Sequence, residues 1–416
     1  MMSRPQIELF GLRRNALVMT ATSFILGIGR VLGFTFLSLY ALHLGAPIHV
    51  LGLFSTIQGL ISIFLVAPIG YLSDVIGHRR KWIIVAGDAL SALAYFIYAS
   101  ARSWVWLIPG IMFETSFQLI GPVGTAIVSD NINPDKRGIA IATRSLTIML
   151  PNTFMPVLGG ILLDSIGMEQ GMPFLFTIAG LARITGTLGR AIFLKEAKSQ
   201  VPMRSKETYL KAGTARIKGT VSDMFRPLLS TKSLQTMAII SCLGAIGMTV
   251  LNRYKAPYVT GVIGLTNAEW GLVVGLATFF GSVFRIPLGK LADIFGRRKL
   301  ILLDYSFRPI YFIALINAKD FTQILLLNTL YDLSGEAGTP AWQALIMDVT
   351  PRGMRGRVQG SFSMVRSATM SIFPTVAGFL WVTYGPTWSF YMCALAEALA
   401  VLAIYLFLKE PKQRER

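Results

Sequence analysis

Apolar residues run along this chain in long blocks, separated by short clusters of Lys, Arg, Gly and Asp. A bilayer core takes about 20 apolar residues per crossing helix. Cutting the sequence at its charge clusters gives twelve blocks of that size, approximately 15–43, 48–72, 82–100, 104–129, 139–163, 171–194, 233–260, 266–289, 299–318, 321–347, 357–384 and 387–408. In hydrocarbon every backbone amide must find its partner inside its own segment, so the blocks are predicted to be helices. The pattern predicts an all-α polytopic membrane protein with twelve spans.

Composition narrows the picture. Of 416 residues, 53% are apolar and only 14% are charged, with a mean hydropathy of +0.58. A soluble domain has about 25% charged residues, so an ordinary soluble enzyme is excluded. The net charge of +18 would fit a nucleic-acid binder, but the basic residues sit between apolar blocks, which excludes that class. Cys242 and Cys393 give no disulfide framework or metal pair. His43, His49 and His78 have no metal spacing, and no HExxH or phosphate-loop string occurs. No cofactor, metal or catalytic activity is expected. The apolar run after the basic start MMSRPQIELFGLRR is too long for a cleaved signal peptide and reads as a retained first span.

The basic clusters orient the spans. Both ends and the even-numbered links hold 29 of the 39 Lys and Arg residues, whereas the odd-numbered links hold four at most (Arg102, Lys319, Arg253 and Lys255). The positive-inside bias places both termini in the cytoplasm of a plasma-membrane protein. The net charge is then largely a topology signal, with some attraction to anionic lipid headgroups. A long basic link at 195–232 separates an N-terminal six-helix bundle, 1–194, from a C-terminal one, 233–416.

The chain repeats itself. Gly70, Leu72, Asp74, Gly77, Arg79 and Arg80 recur as Gly289, Leu291, Asp293, Gly296, Arg298 and Lys299, at an offset of 219. Asp130, Arg137 and Gly138 recur as Asp348, Arg355 and Gly356, at an offset of 218. At the same 218, Pro156, Gly160 and Gly167 map to Pro374, Gly378 and Gly385, and Glu114 maps to Asp332. A duplicated six-helix unit is a common plan for secondary transporters, with the binding site where the halves meet.

The loop pattern G-x-L-x-D-x-x-G-[RH]-R-[RK], present between spans 2 and 3 and again between 8 and 9, resembles the signature of the major facilitator superfamily. Pro156-Val157-Leu158-Gly159-Gly160 on span 5 resembles the motif of drug/proton antiporters, with Met155 where that pattern has Gly. The resemblance implies two pseudo-symmetric six-helix bundles, a cavity lined mainly by spans 1, 4, 7 and 10, a monomer, and rocker-switch alternating access. It also implies a cytoplasmic gate in which Asp74 meets the start of span 11 near Arg355, while Asp293 meets Arg137 and the start of span 5. Gly70, Gly77, Arg79, Arg80, Gly289, Gly296, Arg297 and Arg298 complete that gate.

Charges at mid-membrane cost roughly 2.5–3.5 kcal/mol on insertion scales, so they face protein or a wet cavity. Arg30, Glu114, Asp332 and Glu336 lie near mid-span on spans 1, 4 and 10 and are the candidates for substrate binding and proton coupling. Asp332 and Glu336, four residues apart, share one helix face. Two close carboxylates resist double ionisation, which suits proton coupling. Arg183 and Glu397, on the outer spans 6 and 12, are expected to pair with neighbours. Asp88, Arg144, Asp304, Arg308 and Arg366 are placed nearer an inner gate network, and Arg285 is expected to order the second loop signature.

The expected function is proton-coupled efflux of small hydrophobic or cationic compounds. One alternative is import of a sugar, organic anion or other metabolite, with Arg30 as an anion ligand. Another, of a different class, is a non-transporting membrane sensor. Substrate charge separates the first two, and reciprocal accessibility of the two cavity mouths separates a transporter from a sensor.

Overall fold

The structure is a computed structural model that describes residues 8–76, 80–196, 228, 232–350 and 354–408. Nearly all of them are helical. The first span is α1 (Arg14–Phe34) and α2 (Leu37–His43), stepped at Thr35 and Phe36. Then come α3 (Val50–Ile76), α4 (Arg80–Ala99) and α5 (Leu107–Asp130). The helical run Arg137–Phe193 turns back on itself at Gly167 and forms two spans, α6 (137–166) and α7 (168–193). The second half holds α8 (Lys232–Tyr258), α9 (Asn267–Phe295), α10 (Arg297–Asn317), α11 (Phe321–Val349), α12 (Arg355–Tyr384) and α13 (Pro386–Phe407).

Twelve spans result, in the order that the apolar blocks predict. Their outward surfaces are apolar: Phe64, Ile192 and Leu395 are each more than 60% exposed, a surface that only lipid would cover. Arg253 and Lys255 lie within α8, not in the link after it, which leaves Arg102 and Lys319 as the odd-link cations and sharpens the charge asymmetry.

Two compact units are present. The first comprises α1, α2, α4–α7, the later part of α3 and the opening turns of α9. The second comprises α8, most of α9, α10–α13 and residues 47–63, which include the start of α3. The first unit is cored by Ala16, Met19, Ile84, Val128 and Ala140, the second by Met237, Ile240, Ile301, Leu345 and Ile404.

Backbone conformation carries the repeat beyond the sequence motifs. Gly167 (φ 79°, ψ 165°) and Gly385 (φ 107°, ψ 166°) make the same glycine turn before spans 6 and 12. Gly45 (φ 84°) and Gly264 (φ 93°), 219 residues apart, both end a first span. Such φ values are open to glycine and strained for other residues.

The helix seams repeat as well. In the first unit Gly271 of α9 abuts the backbone of Pro156, and Gly160 abuts Asn267. In the second unit Gly52 of α3 abuts the backbone of Pro374, and Gly378 abuts His49. These are the same two contacts one repeat apart. Glycine permits the approach, since any Cβ would strike main chain.

A short hairpin precedes α1. Its strands β1 (Glu8–Leu9) and β2 (Leu12–Arg13) join through Phe10 and Gly11, both at positive φ. The hairpin docks on the link between α5 and α6: the Arg13 amide donates to the Asn131 carbonyl (3.0 Å) and the Asn133 amide to the Gly11 carbonyl (2.9 Å). Glu8 accepts from Asn133 Nδ2 (3.0 Å) and Lys136 Nζ (3.1 Å). These donors hold its carboxyl below the usual range for glutamate.

Candidate functional site

The acidic pair lies in the second unit. Asp332 and Glu336 stand one turn apart on α11 and line a cavity of about 560 Å³ together with Tyr331, Arg285 and Met248. Across from them, Gly281 of α9 leaves space within van der Waals range of both side chains. Pro340 follows Glu336 by four residues, so the carbonyl of Glu336 has no helical amide to accept from.

Each carboxylate has its own cation. Arg285 donates through Nε and Nη2 to the two oxygens of Glu336, at 2.6 Å each. This bidentate pairing is the strongest that these groups make. Lys255 of α8 acts on Asp332 electrostatically and donates to Asn328 Oδ1 (2.7 Å), one turn before it on α11. Tyr311 donates to the same Asn328 oxygen (3.2 Å). The site is therefore one bidentate ion pair, Arg285–Glu336, beside an Asp332 that feels both the Lys255 charge and that of Glu336 on the same helix face. Arg285 reaches α11 and the cavity, not only the loop signature beside it.

The other two candidates lie in the first unit. Glu114 on α5 is 1% exposed, while Arg30 on α1 is exposed. The charges of both reach Tyr95 on α4, whose ring lies 5.5 Å from the Arg183 guanidinium.

Two buried charge clusters tie the outer spans. Asp88 on α4 accepts from Arg190 of α7 (2.7 Å) and lies 3.8 Å from Arg183. Arg190 also donates to Thr22 and Ser23 on α1, at 3.0 Å each. On α10, Arg308 donates to both oxygens of Asp304 (3.1 and 2.8 Å) and lies 3.8 Å from Glu397 of α13. Asp88, Asp304 and Arg308 therefore belong to these buried clusters.

The loop signatures close helix ends. Arg80 pairs with Asp130 at the end of α5 (3.5 Å). Arg297 pairs with Asp348 at the end of α11 and donates to the Ala344 carbonyl (3.3 Å). Arg298 donates to the Tyr405 carbonyl in the last turn of α13 (2.8 Å), where the helix dipole is negative. Gly296 caps α10 at φ 88°, and Arg137 opens α6 as an exposed residue. Gly70 and Asp74 lie in α3, Gly289 and Asp293 in α9, and Arg355 at the start of α12. The side chains of these five, and all of Gly77 and Arg79, fall outside the described residues, and so do the Asp74–Arg355 and Asp293–Arg137 contacts.

Other polar contacts have no motif that announces them. In the second unit Arg253 of α8 donates to Ser55 (2.7 Å) and to Gln58 on α3. Thr56 bonds Thr375 (2.8 Å) and the Ser371 carbonyl. In the first unit Asp164 caps α9, accepting from the amides of Asn267 (3.1 Å) and Ala268 (2.8 Å) and from Asn267 Nδ2 (2.9 Å). Among the described residues no group of His, Cys, Asp and Glu could hold a metal ion.

Comparison with known proteins agrees with this architecture. The chain is 26% identical over 374 residues to a multi-drug resistance efflux pump PmrA homolog of Lactococcus lactis subsp. lactis, covering 88% of this chain and 87% of that one. It is 25% identical to the magnetosome protein MamH of Paramagnetospirillum magneticum, over 78% of this chain and 75% of that one. Among solved structures, a POT family transporter in complex with 5-aminolevulinic acid matches with a TM-score of 0.79 at 13% identity, covering 97% of this chain and 98% of that one. A bacterial homolog of the human lysosomal transporter Spinster matches with a TM-score of 0.71 at 14% identity, covering 95% and 96%. The sequence profile described as Major Facilitator Superfamily matches residues 19–307 and 237–416. The twelve spans, the doubled loop signature and this match make the chain a multi-pass membrane transporter that belongs to the major facilitator superfamily.

Proposed function

We propose that this transporter exports small hydrophobic or cationic compounds in exchange for protons. The observation that carries this reading is the wall formed by Asp332 and Glu336, with Lys255 and Arg285 as built-in counter-ions, beside a cavity of about 560 Å³. A cationic ligand competes with those side chains for the carboxylates, and so does a proton. Binding one releases the other, which is the requirement for exchange. The likeness to the PmrA efflux pumps supports the substrate class.

The six-helix halves 1–194 and 233–416 rock about the site, with both termini in the cytoplasm of the plasma membrane and a single chain as the working unit. The matched seams Gly52–Pro374 and Gly271–Pro156 support the two-fold repeat on which this motion depends, because each makes the same contact one repeat apart. Membrane lipid covers the rest.

The test is ethidium efflux from proteoliposomes under an imposed pH gradient. Asp332→Asn and Glu336→Gln, singly and together, abolish the pH-driven component if the reading holds. Intact pH-driven transport in the double variant defeats it.

A second reading has one observation in its favour. The Arg285 side chain is 50% exposed at the cavity and can bind a carboxylate or phosphate, as an importer of organic anions requires. Transport of anionic but not cationic probes, lost in Arg285→Gln, selects it.

A further inference from the structure

The buried charges of the two halves are arranged in opposite sense. In the first, one carboxylate, Asp88, lies between two guanidiniums, Arg183 and Arg190. In the second, one guanidinium, Arg308, lies between two carboxylates, Asp304 and Glu397. Both clusters link the third and sixth spans of their half. A guanidinium keeps its charge at any biological pH, so the two cations of the first cluster do not titrate. The second is one negative charge over only while both acids are ionised, and an uncompensated charge buried in the membrane is costly.

We propose that Glu397 is a proton-binding site of this transporter, loaded through a small cavity that Asp304 and Arg308 line. The proposal rests on the reading of the protein as proton-coupled and adds a second proton site, separate from Asp332 and Glu336.

Glu397 is fully buried in the middle of α13, and among the described residues neither of its oxygens accepts a hydrogen bond. Asp304 has the better claim on Arg308: it takes Nε and Nη2, and Ser334 donates to it as well (3.4 Å). Glu397 is left with Nη1 at 3.8 Å. Among the described residues the helices around it supply no other cation within pairing distance. From α10 come Arg308, Asp304 and Tyr305, from α11 Tyr331, and from α13 itself Cys393, one turn earlier. From α8 comes Gly247, against Oε1. On α12, Arg366 acts on Arg308 and donates to the sulfur of Met248 (3.0 Å).

The cavity reaches the partners of Glu397. Asp304 and Arg308 line a cavity of about 200 Å³ with Gln343, Gln359 and Arg366, polar enough to hold water. Met248 and Thr339 line both this cavity and the larger one of Asp332 and Glu336. A proton from that water adds to a carboxylate oxygen of Glu397 and gives a neutral carboxyl. Arg308 then belongs wholly to Asp304, and the cluster carries no net charge. Loss of the proton restores the shared guanidinium.

The test reads the carboxyl group directly. Infrared difference spectra of the purified protein in liposomes, between acidic and alkaline buffer, are expected to show a protonated-carboxyl band that Glu397→Gln deletes, Glu397→Asp shifts and Asp332→Asn leaves in place. In proteoliposomes, Glu397→Gln is expected to lower pH-driven ethidium efflux about tenfold relative to ethidium counterflow. A band unchanged in Glu397→Gln overturns the proposal, and so does an unchanged ratio of driven efflux to counterflow. If Glu397→Gln does not fold, the Glu397→Asp band decides: a shift supports the site and no shift overturns it. If the wild type moves no ethidium, the export reading falls while the infrared band still decides Glu397.

Discussion

Gly271 lies against the main chain of Pro156, and Gly52 lies against that of Pro374, one repeat away. A side chain at either glycine has no volume to enter except by pushing two helices apart. Overpacking of this kind costs about 1–3 kcal/mol. Gly271→Leu and Gly52→Leu are expected to open their seams by that amount, and the effects should add, since the two sites share no partner. Cysteine labelling at residues 49 and 267 is the readout, with labelling rates rising in each variant. Unchanged rates would show that the seams are not under compression.

Asp88 answers two buried guanidiniums. Removing its charge breaks the buried pair with Arg190 and withdraws the carboxylate 3.8 Å from Arg183, a loss of about 3–5 kcal/mol for a broken buried ion pair. Asp88→Asn is expected to lower the melting temperature in detergent far more than Asp130→Asn, whose partner Arg80 sits near the surface at 3.5 Å. Equal losses would mean that the Asp88 cluster is better hydrated than its burial implies.

Asp164 satisfies the first amides of α9 as a helix cap does. Losing such a cap costs about 1 kcal/mol. Asp164→Ala should free the start of α9, read as faster hydrogen exchange at Asn267 and Ala268. Asp164→Asn keeps an acceptor oxygen and should recover most of the protection.

The Glu8 anchor has a pH dependence of defined sign. Its carboxyl titrates below the ordinary range because Asn133 and Lys136 donate to the ionised form. A group lowered on folding contributes above its unfolded value and loses that contribution as pH falls through the folded one. The hairpin should therefore be protected from proteolysis at neutral pH and released in acid. Glu8→Gln should remove the pH dependence.

The spans were legible because membrane helices need length and hydrophobicity and little else. The repeat was legible because Asp74 and Asp293 stand in the same string of glycines and arginines. Partners across helices were not, because they depend on how each helix is rotated. Arg285 sits just before a loop motif in sequence, yet its guanidinium reaches Glu336, 51 residues away. Glu114 and Asp332 are equivalent by offset, but the first is 1% exposed and the second lines a cavity. The β-hairpin escaped because strands of two residues carry no periodicity. Its one local sign was Phe10-Gly11, a pair that needs two positive φ angles.

That hairpin imposes an order on biosynthesis. Glu8 leaves the ribosome 125 residues ahead of Asn133, the side chain it must find. Until α5 has been threaded and the turn after it has emerged on the same face, the chain start has nothing to dock on. A docked hairpin therefore requires the chain start and the turn after α5 to lie on one side of the membrane, with four crossings between them.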